Sequence, residues 1–305
     1  MSAPASPTAS SMSATVIDLP LRDWRSPDAA GLSAQALHAL EQGQVLHFPH
    51  LGFALTEAEQ ALLDPALTDP KRKNISLTPK GLAGTVATGA ARDRVQDVLQ
   101  RYLDSTGALL DALFPGYRDH RHSPATSLRL HAIGTWHPSW RKDDRLLHVD
   151  AFPSRPLHGE RILRVFTNIN PRNEPRTWRV GGSFEASARH YLPGMNKPWR
   201  PWLAGLMHKA GITKRRRTEY DHLMLQMHDA MKRDERYQRE GDWTQVDFMP
   251  GSTWVCFSDQ VPHAAMGGQF MLEQTWQLPL AALGYAELAP VRVLEKLAKR
   301  PLLAA

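Results

Sequence analysis

Alternating hydrophobic and polar positions mark the strands of this chain, and longer-period repeats mark its helices. SLRLHAIG, residues 127–134, places Leu128, Leu130 and Ala132 on one face and Arg129, His131 and Ile133 on the other. RILRVFTNI, residues 161–169, is rich in β-branched and aromatic residues and reads as a strand. Within it Arg164 shares a face with Phe166 and Asn168, while Leu163, Val165, Thr167 and Ile169 cover the other. QVLHFPHLGF predicts a further strand, and residues 251–280 predict two strands joined by a loop that carries His263. Helical spacing predicts a helix over 32–42, with Ser33 as N-cap and Gly43 just past its end. A second follows Thr56, whose partner Glu59 completes a capping box. A third spans 92–114, where Val95, Val98, Leu99, Tyr102 and Leu103 recur at helical spacing. WRVGGSFEASARHYLP reads as a turn and then a helix from about Ser183. A helical stretch runs to about Arg239, and VRVLEKLAKRPLLAA closes the chain as a basic amphipathic helix. Residues 69–94 are basic, Gly-rich and aperiodic, and are expected to be a loop or insertion.

Composition narrows the class. Residues 1–14 are almost entirely small or polar and predict a disordered tail, followed by a single domain over 15–305 with a basic helical insertion at 204–240. Hydrophobic content of 42% and charged content of 22% are those of a soluble globular protein. No apolar run reaches about 18 residues, so no transmembrane segment is expected, and the N-terminus shows no secretory pattern. The lone Cys256 excludes an internal disulfide framework and suits a reducing cytoplasm. The 37 basic residues against 31 acidic ones favour an anionic partner.

The candidate chemistry lies in LLHVDAFPSRPLHGERILRVFTNINP, residues 146–171. In an extended strand His148 and Asp150 leave the same face while Val149 points the other way; Pro153, Pro156 and Gly159 then end that strand in a loop. A surface hydrogen-bonded pair is the plainer explanation, but both residues flank an apolar strand that opens into a Pro- and Gly-rich loop. With the distant His263 they make two histidines and one carboxylate, the facial set of non-haem Fe(II) oxygenases, which leaves positions for a bidentate co-substrate and O₂. A Zn²⁺ hydrolase uses such ligands too, but no general base stands nearby in the sequence. A dicarboxylate co-substrate needs a cation at its far end, and arginine's planar fork suits it. Arg164, interrupting an apolar strand, is the first candidate and Arg129 the second. Many such oxygenases carry an arginine roughly ten residues beyond the distal histidine. Here Glu273 and Gln274 fall near that position, and Gln274 is retained as a hydrogen-bonding candidate.

The segments SLRLHAIG, HVDAFPSRPLHGERILRVFTNINP, TWRVGGSFEASARHYLP and GSTWVCFSDQVPHAAMGGQFMLEQTW resemble the 3-deoxy-D-manno-oct-2-ulosonic acid (Kdo) hydroxylases over most of residues 30–290. The resemblance implies an Fe(II)- and 2-oxoglutarate-dependent dioxygenase, aided by ascorbate, that hydroxylates C3 of a Kdo sugar in Kdo–lipid A of lipopolysaccharide to give Ko. It also implies His148, Asp150 and His263 as the iron ligands. The fold expected is mainly β with surrounding helices, built on a double-stranded β-helix, or jelly-roll, core. An anionic glycolipid substrate fits a basic protein in the cytoplasm, peripheral on the cytoplasmic face of the inner membrane, docking through Trp199, Trp202 and the run Lys214–Arg217, or through basic residues of the C-terminal helix. No nucleic-acid module accompanies these charges, so no nucleic acid is expected as partner. A 2-oxoglutarate oxygenase with another substrate, and a non-catalytic lipid-binding jelly roll, are the alternatives.

Overall fold

The strand around Arg164 becomes the middle of a large sheet. A computed structural model describes residues 15–135 and 139–303; the tail expected over 1–14, and the loop residues Trp136 and Pro138, lie outside the described residues. In chain order the elements are β1 (Val16–Asp18), α1 (Ala29–Glu41), β2 (Val45–Phe48), α2 (Glu57–Gln60), β3 (Ile75–Thr78), β4 (Gly81–Ala83), α3 (Gly89–Leu113), β5 (His122–Arg129), β6 (Arg161–Asn168) and β7 (Arg176–Gly181). There follow α4 (Phe184–Tyr191), α5 (Pro201–Lys209), α6 (Glu219–Arg233), α7 (Glu235–Glu240), β8 (Trp243–Phe248), β9 (Thr253–Phe257), β10 (His263–Ala265), β11 (Met271–Leu278) and α8 (Pro290–Ala298).

Eight strands form one sheet in the order β1-β2-β9-β6-β11-β5-β3-β4, and β10-β7-β8 form a second. All pairings are antiparallel except β1 with β2. This is the expected jelly roll: two sheets whose inner faces enclose a cleft. Residues opposite one another across a ladder share a face, so register decides what lines that cleft. Thr275, Arg164 and Cys256 form one row across β11, β6 and β9; Glu273, Phe166 and Trp254 form the next. The outer face of the same strands, with Leu163, Val165, Val255 and Phe257, packs on α1 and α3. Leu128 and Leu272 extend that face against Val95, Leu99 and Tyr102 of α3. A separate apolar layer joins α4, α6 and α8 to Val149 and Ala151 of the HxD segment.

Several sequence expectations shift. α1 starts at Ala29, so Ser33 lies inside the helix and its hydroxyl donates to the Leu113 carbonyl at the end of α3 (2.7 Å). The Thr56–Glu59 capping box forms, on a helix of one turn. Residues 69–94 are no simple loop: β3 and β4 make an edge hairpin on β5, and α3 begins at Gly89. Strands of three or four residues on a sheet edge bury too little to show an alternation. The strand placed at 127–134 is β5, which ends at Arg129. TWRVGG is strand β7 rather than a turn, and Trp243–Phe248 is a strand beside it. His263 sits on a short strand of its own rather than in a loop between two.

Candidate metal centre

The HxD segment forms only an isolated antiparallel bridge rather than a full strand. His148 N donates to the His263 carbonyl (3.1 Å) and His263 N donates to the His148 carbonyl (2.9 Å). Asp150 N then donates to Ser258 O (2.8 Å), and pairing stops short of Pro153, which has no N–H to contribute. That reciprocal bridge carries the distant histidine back over the first pair. Val149 points away into the helical layer, fully buried, as the alternation requires.

His148, Asp150 and His263 are all buried, and one ligand atom from each falls within 4.8 Å of the others. The Nδ1 of His148 faces the Leu146 carbonyl at 2.7 Å and that of His263 faces the Val261 carbonyl at 2.9 Å. Each Nδ1–H is thereby engaged as donor, which fixes the tautomer and leaves Nε2 with its lone pair toward the cleft. Trp178 stacks on His263 (5.2 Å between centroids, 21°), and His228 of α6 meets His148 edge-on (5.2 Å). Burial pushes the His148 imidazole down to about 4 and lowers His263 as well, so both rings are neutral and able to ligate at neutral pH. Burial opposes the Asp150 charge, yet the Arg164 cation above all holds that carboxyl well below the usual range. Asp150 Oδ2 lies 2.9 Å from Arg164 Nη2 but has no hydrogen-bond partner. Two imidazole Nε2 atoms and a carboxylate, with His148 Nε2 3.5 Å from Asp150 Oδ1, form a donor set that fits a divalent iron.

The surrounding cleft, of about 160 Å³, is lined by the triad with Lys73, Arg129, Asp144, Arg164, Arg176, Phe166 and Trp178 among others. Most of its charges cancel in one chain. Arg164 bridges Asp150 and Glu273 (2.8 Å to the latter), Arg129 Nε donates to the other Glu273 oxygen (2.6 Å), and Arg129 and Lys73 both meet Asp144. Glu273 thus stands between both arginines singled out from the sequence and pairs with each, while Asp150 and Asp144 balance the remaining charge. Arg176 differs. It is buried, its Nη1 donates to the Gly268 carbonyl (3.0 Å), its Nε has no partner, and it makes no ion pair among the described residues. Burial, with repulsion from Arg129, lowers its pKa to about 9. Sequence reasoning missed Arg176 because it missed β7; the clue was the alternation of Arg176, Trp178 and Val180 on one face. Gln274 is not brought to the centre. It pairs with Val165 on the outer face of the sheet, where Thr126 Oγ1 donates to its side-chain oxygen and its amide donates to Ser123 Oγ. One residue along a strand reverses the face, so Glu273 rather than Gln274 reaches the cleft.

A jelly roll in which two histidines and an aspartate converge between the sheets is the architecture of the non-haem Fe(II) oxygenases. The sequence matches the 3-deoxy-D-manno-oct-2-ulosonic acid (Kdo) hydroxylase family over residues 23–301, and the chain belongs to that family. It is similar to solved structures of the Kdo hydroxylase KdoO, a non-haem Fe(II) alpha-ketoglutarate-dependent dioxygenase. To the complex of that enzyme with alpha-ketoglutarate and Fe(III) it is 41% identical, with a TM-score of 0.89 over 94% of this chain and 97% of that one. To the cobalt(II) complex the identity is 41% and the TM-score 0.91, over 95% and 98%. To the complex with succinate and Fe(III) they are 40% and 0.90, over 95% and 98%. None of the curated protein sequences compared matches the chain.

Proposed function

We propose that this protein is an Fe(II)- and 2-oxoglutarate-dependent dioxygenase that hydroxylates C3 of a Kdo sugar in Kdo–lipid A, giving Ko, with ascorbate keeping the iron reduced. The observation that carries the reading is the convergence of His148, Asp150 and His263, with each Nδ1 engaged by a backbone carbonyl and one Asp150 oxygen without a hydrogen-bond partner, inside a cleft that holds a buried arginine with no ion pair among the described residues. Iron bound there with 2-oxoglutarate would supply oxidative hydroxylation: the co-substrate leaves as succinate and CO₂, one oxygen of O₂ enters succinate and the other the sugar.

The chain's own residues supply binding and orientation. His148 and His263 would ligate through Nε2, held by their backbone carbonyl partners, and Asp150 would ligate through an oxygen while Arg164 orients its carboxylate. Arg176 would receive the far carboxylate of 2-oxoglutarate, because its charge is the one the cleft leaves uncompensated. The lipid anchor of such a substrate would stay in a bilayer, so the protein would act peripherally at a membrane surface, on this reading the cytoplasmic face of the inner membrane.

Succinate formation with Fe(II), 2-oxoglutarate and ascorbate tests this, with Kdo–lipid A as stimulating substrate and mass spectrometry of the product. The expected result is succinate release stimulated by the glycolipid and a gain of one oxygen on Kdo. Release stimulated by another substrate but not by any Kdo compound would move the protein to a different oxygenase role.

A further inference from the structure

Between Ala186 and Thr218 the chain has no Asp or Glu, while it carries Arg189, Lys197, Arg200, Lys209 and the run Lys214–Arg217. These eight basic residues exceed the whole positive surplus of six. The same stretch concentrates exposed apolar surface. Six large hydrophobic side chains are exposed among the described residues, and four of them, Trp202, Leu203, Leu206 and Ile212, lie here, Trp202 at 64% and Leu206 at 56%. Trp202, Leu203 and Leu206 recur at three- and four-residue spacing on α5, so they form one ridge, while Ala204 on the opposite side is buried. An apolar patch of this kind on an otherwise well-packed protein marks an interaction surface.

The ridge is held rigidly and close to the cleft. Behind α5 the chain folds back: Ile212 N donates to Met207 O (3.0 Å) and Arg216 Nη2 to Pro201 O (3.3 Å). It is then tied to the loop that follows Asp150, through Lys214 N to Ser154 O (2.9 Å) and Arg217 Nη2 to Pro153 O (2.8 Å). Phe152, which opens that loop, lines the cleft. Lys197, Arg200, Lys209 and Lys214 make no ion pair among the described residues, so their charge is free for an outside partner.

We propose that α5 and the 209–215 turn form a membrane-docking element, in which Trp202, Leu203, Leu206 and Ile212 enter the headgroup region of an anionic lipid bilayer while Lys209, Lys214 and their neighbours meet its phosphates. The choice of a bilayer rests on the lipid-linked substrate proposed above and on the pairing of apolar and cationic groups in one patch. A second copy of the chain is disfavoured as occupant, since two such faces repel. No helix among the described residues is long and apolar enough to cross a membrane, so attachment of this kind is peripheral. The sequence had pointed to Trp199 and Trp202 together; Trp199 instead turns inward and donates its indole N–H to Arg217 O (3.3 Å), leaving Trp202 as the exposed one.

Cosedimentation with vesicles of phosphatidylglycerol and phosphatidylethanolamine, beside phosphatidylcholine vesicles, tests the element without any turnover. Failure of the Kdo reading would therefore leave the result untouched. Wild type is expected to bind the anionic vesicles, with a blue shift of tryptophan fluorescence and with binding that weakens in salt. Trp202→Ser and Leu206→Ser are each expected to weaken binding roughly tenfold. Lys209→Glu with Lys214→Glu is expected to abolish the preference for anionic lipid. Since all four side chains are exposed, circular dichroism should show each variant folded. Wild-type vesicle affinity in the folded Trp202→Ser, Leu206→Ser double variant would overturn the proposal. So would a dimer that these substitutions dissolve, or binding to an oligonucleotide with none to vesicles.

Discussion

At the scale of single residues, the cleft separates two kinds of arginine. Arg164 is fully engaged: its guanidinium lies against both Asp150 and Glu273, and those carboxylates hold its pKa up despite burial. Removing it leaves the buried Asp150 without its cation, while Glu273 keeps Arg129, and breaking a buried pair in this way costs about 3–5 kcal/mol. Arg176 has no such partner, so its removal takes away a charge that only a ligand would meet. Arg176→Met is therefore expected to raise the KM for 2-oxoglutarate about tenfold to a hundredfold, the worth of a charge-assisted contact, with a smaller change in kcat at saturation. Arg164→Met is expected to lower the melting temperature and weaken metal retention instead. Saturation curves for 2-oxoglutarate beside thermal melts separate the two. A KM effect confined to Arg164→Met would return the co-substrate role to the residue first chosen from the sequence.

At the scale of elements, the site depends on how β10 returns into β11. Gly268, in that connection, has φ +97, and a Cβ there would lie 2.6 Å from the Pro175 carbonyl oxygen and 2.9 Å from Arg176 Cα. Both atoms are backbone and cannot move aside cheaply. The Gly268 carbonyl also accepts from Arg176 Nη1 and from Ile133 N. Gly268→Ala is expected to cost at least about 2 kcal/mol by chemical denaturation, from strained backbone together with the clash. A loss below about 0.5 kcal/mol would show that the connection adjusts freely. Since the same carbonyl holds Arg176, the variant should weaken 2-oxoglutarate binding as well. The element therefore links backbone conformation to the cation in the cleft.

Across the whole molecule, helices cover the outer face of the large sheet through α1 and α3 and the HxD segment through α4, α6 and α8, and this burial removes water from the triad. The consequence is a dependence of stability on pH. His148 is held at about 4 in the folded protein against an ordinary 6.5, and His263 is lowered in the same direction. Between those values the unfolded chain binds a proton that the folded one refuses, so stability rises with pH across the window and is lost as pH falls through it. For His148 alone the difference is on the order of 3 kcal/mol. Metal-stripped protein is expected to show a melting temperature that falls steadily from pH 7 to pH 5. A flat profile over that range would mean the histidines are better solvated than their burial implies.

The sequence by itself determined the local terms: the central strand around Arg164, the α3 helix, the Thr56–Glu59 cap, and the opposed directions of His148 and Val149. Each follows from side-chain periodicity or a short-range hydrogen bond, and those act between near neighbours. The family was legible too, because HVDAFPSRP and RILRVFTNINP form one long continuous motif. Tertiary structure alone decided whether His263 meets the pair, through a two-bond bridge that no local pattern announces. It also decided which cations are free. Arg164 and Arg129 look alike in sequence, each a charge in an apolar strand, until register sets Glu273 between them. β7 escaped notice for a related reason. Only Trp178 and Val180 give its inner face an apolar alternation, too short to stand out beside the charged Arg176, and a buried arginine is intelligible only once the opposite sheet and its charges are in place.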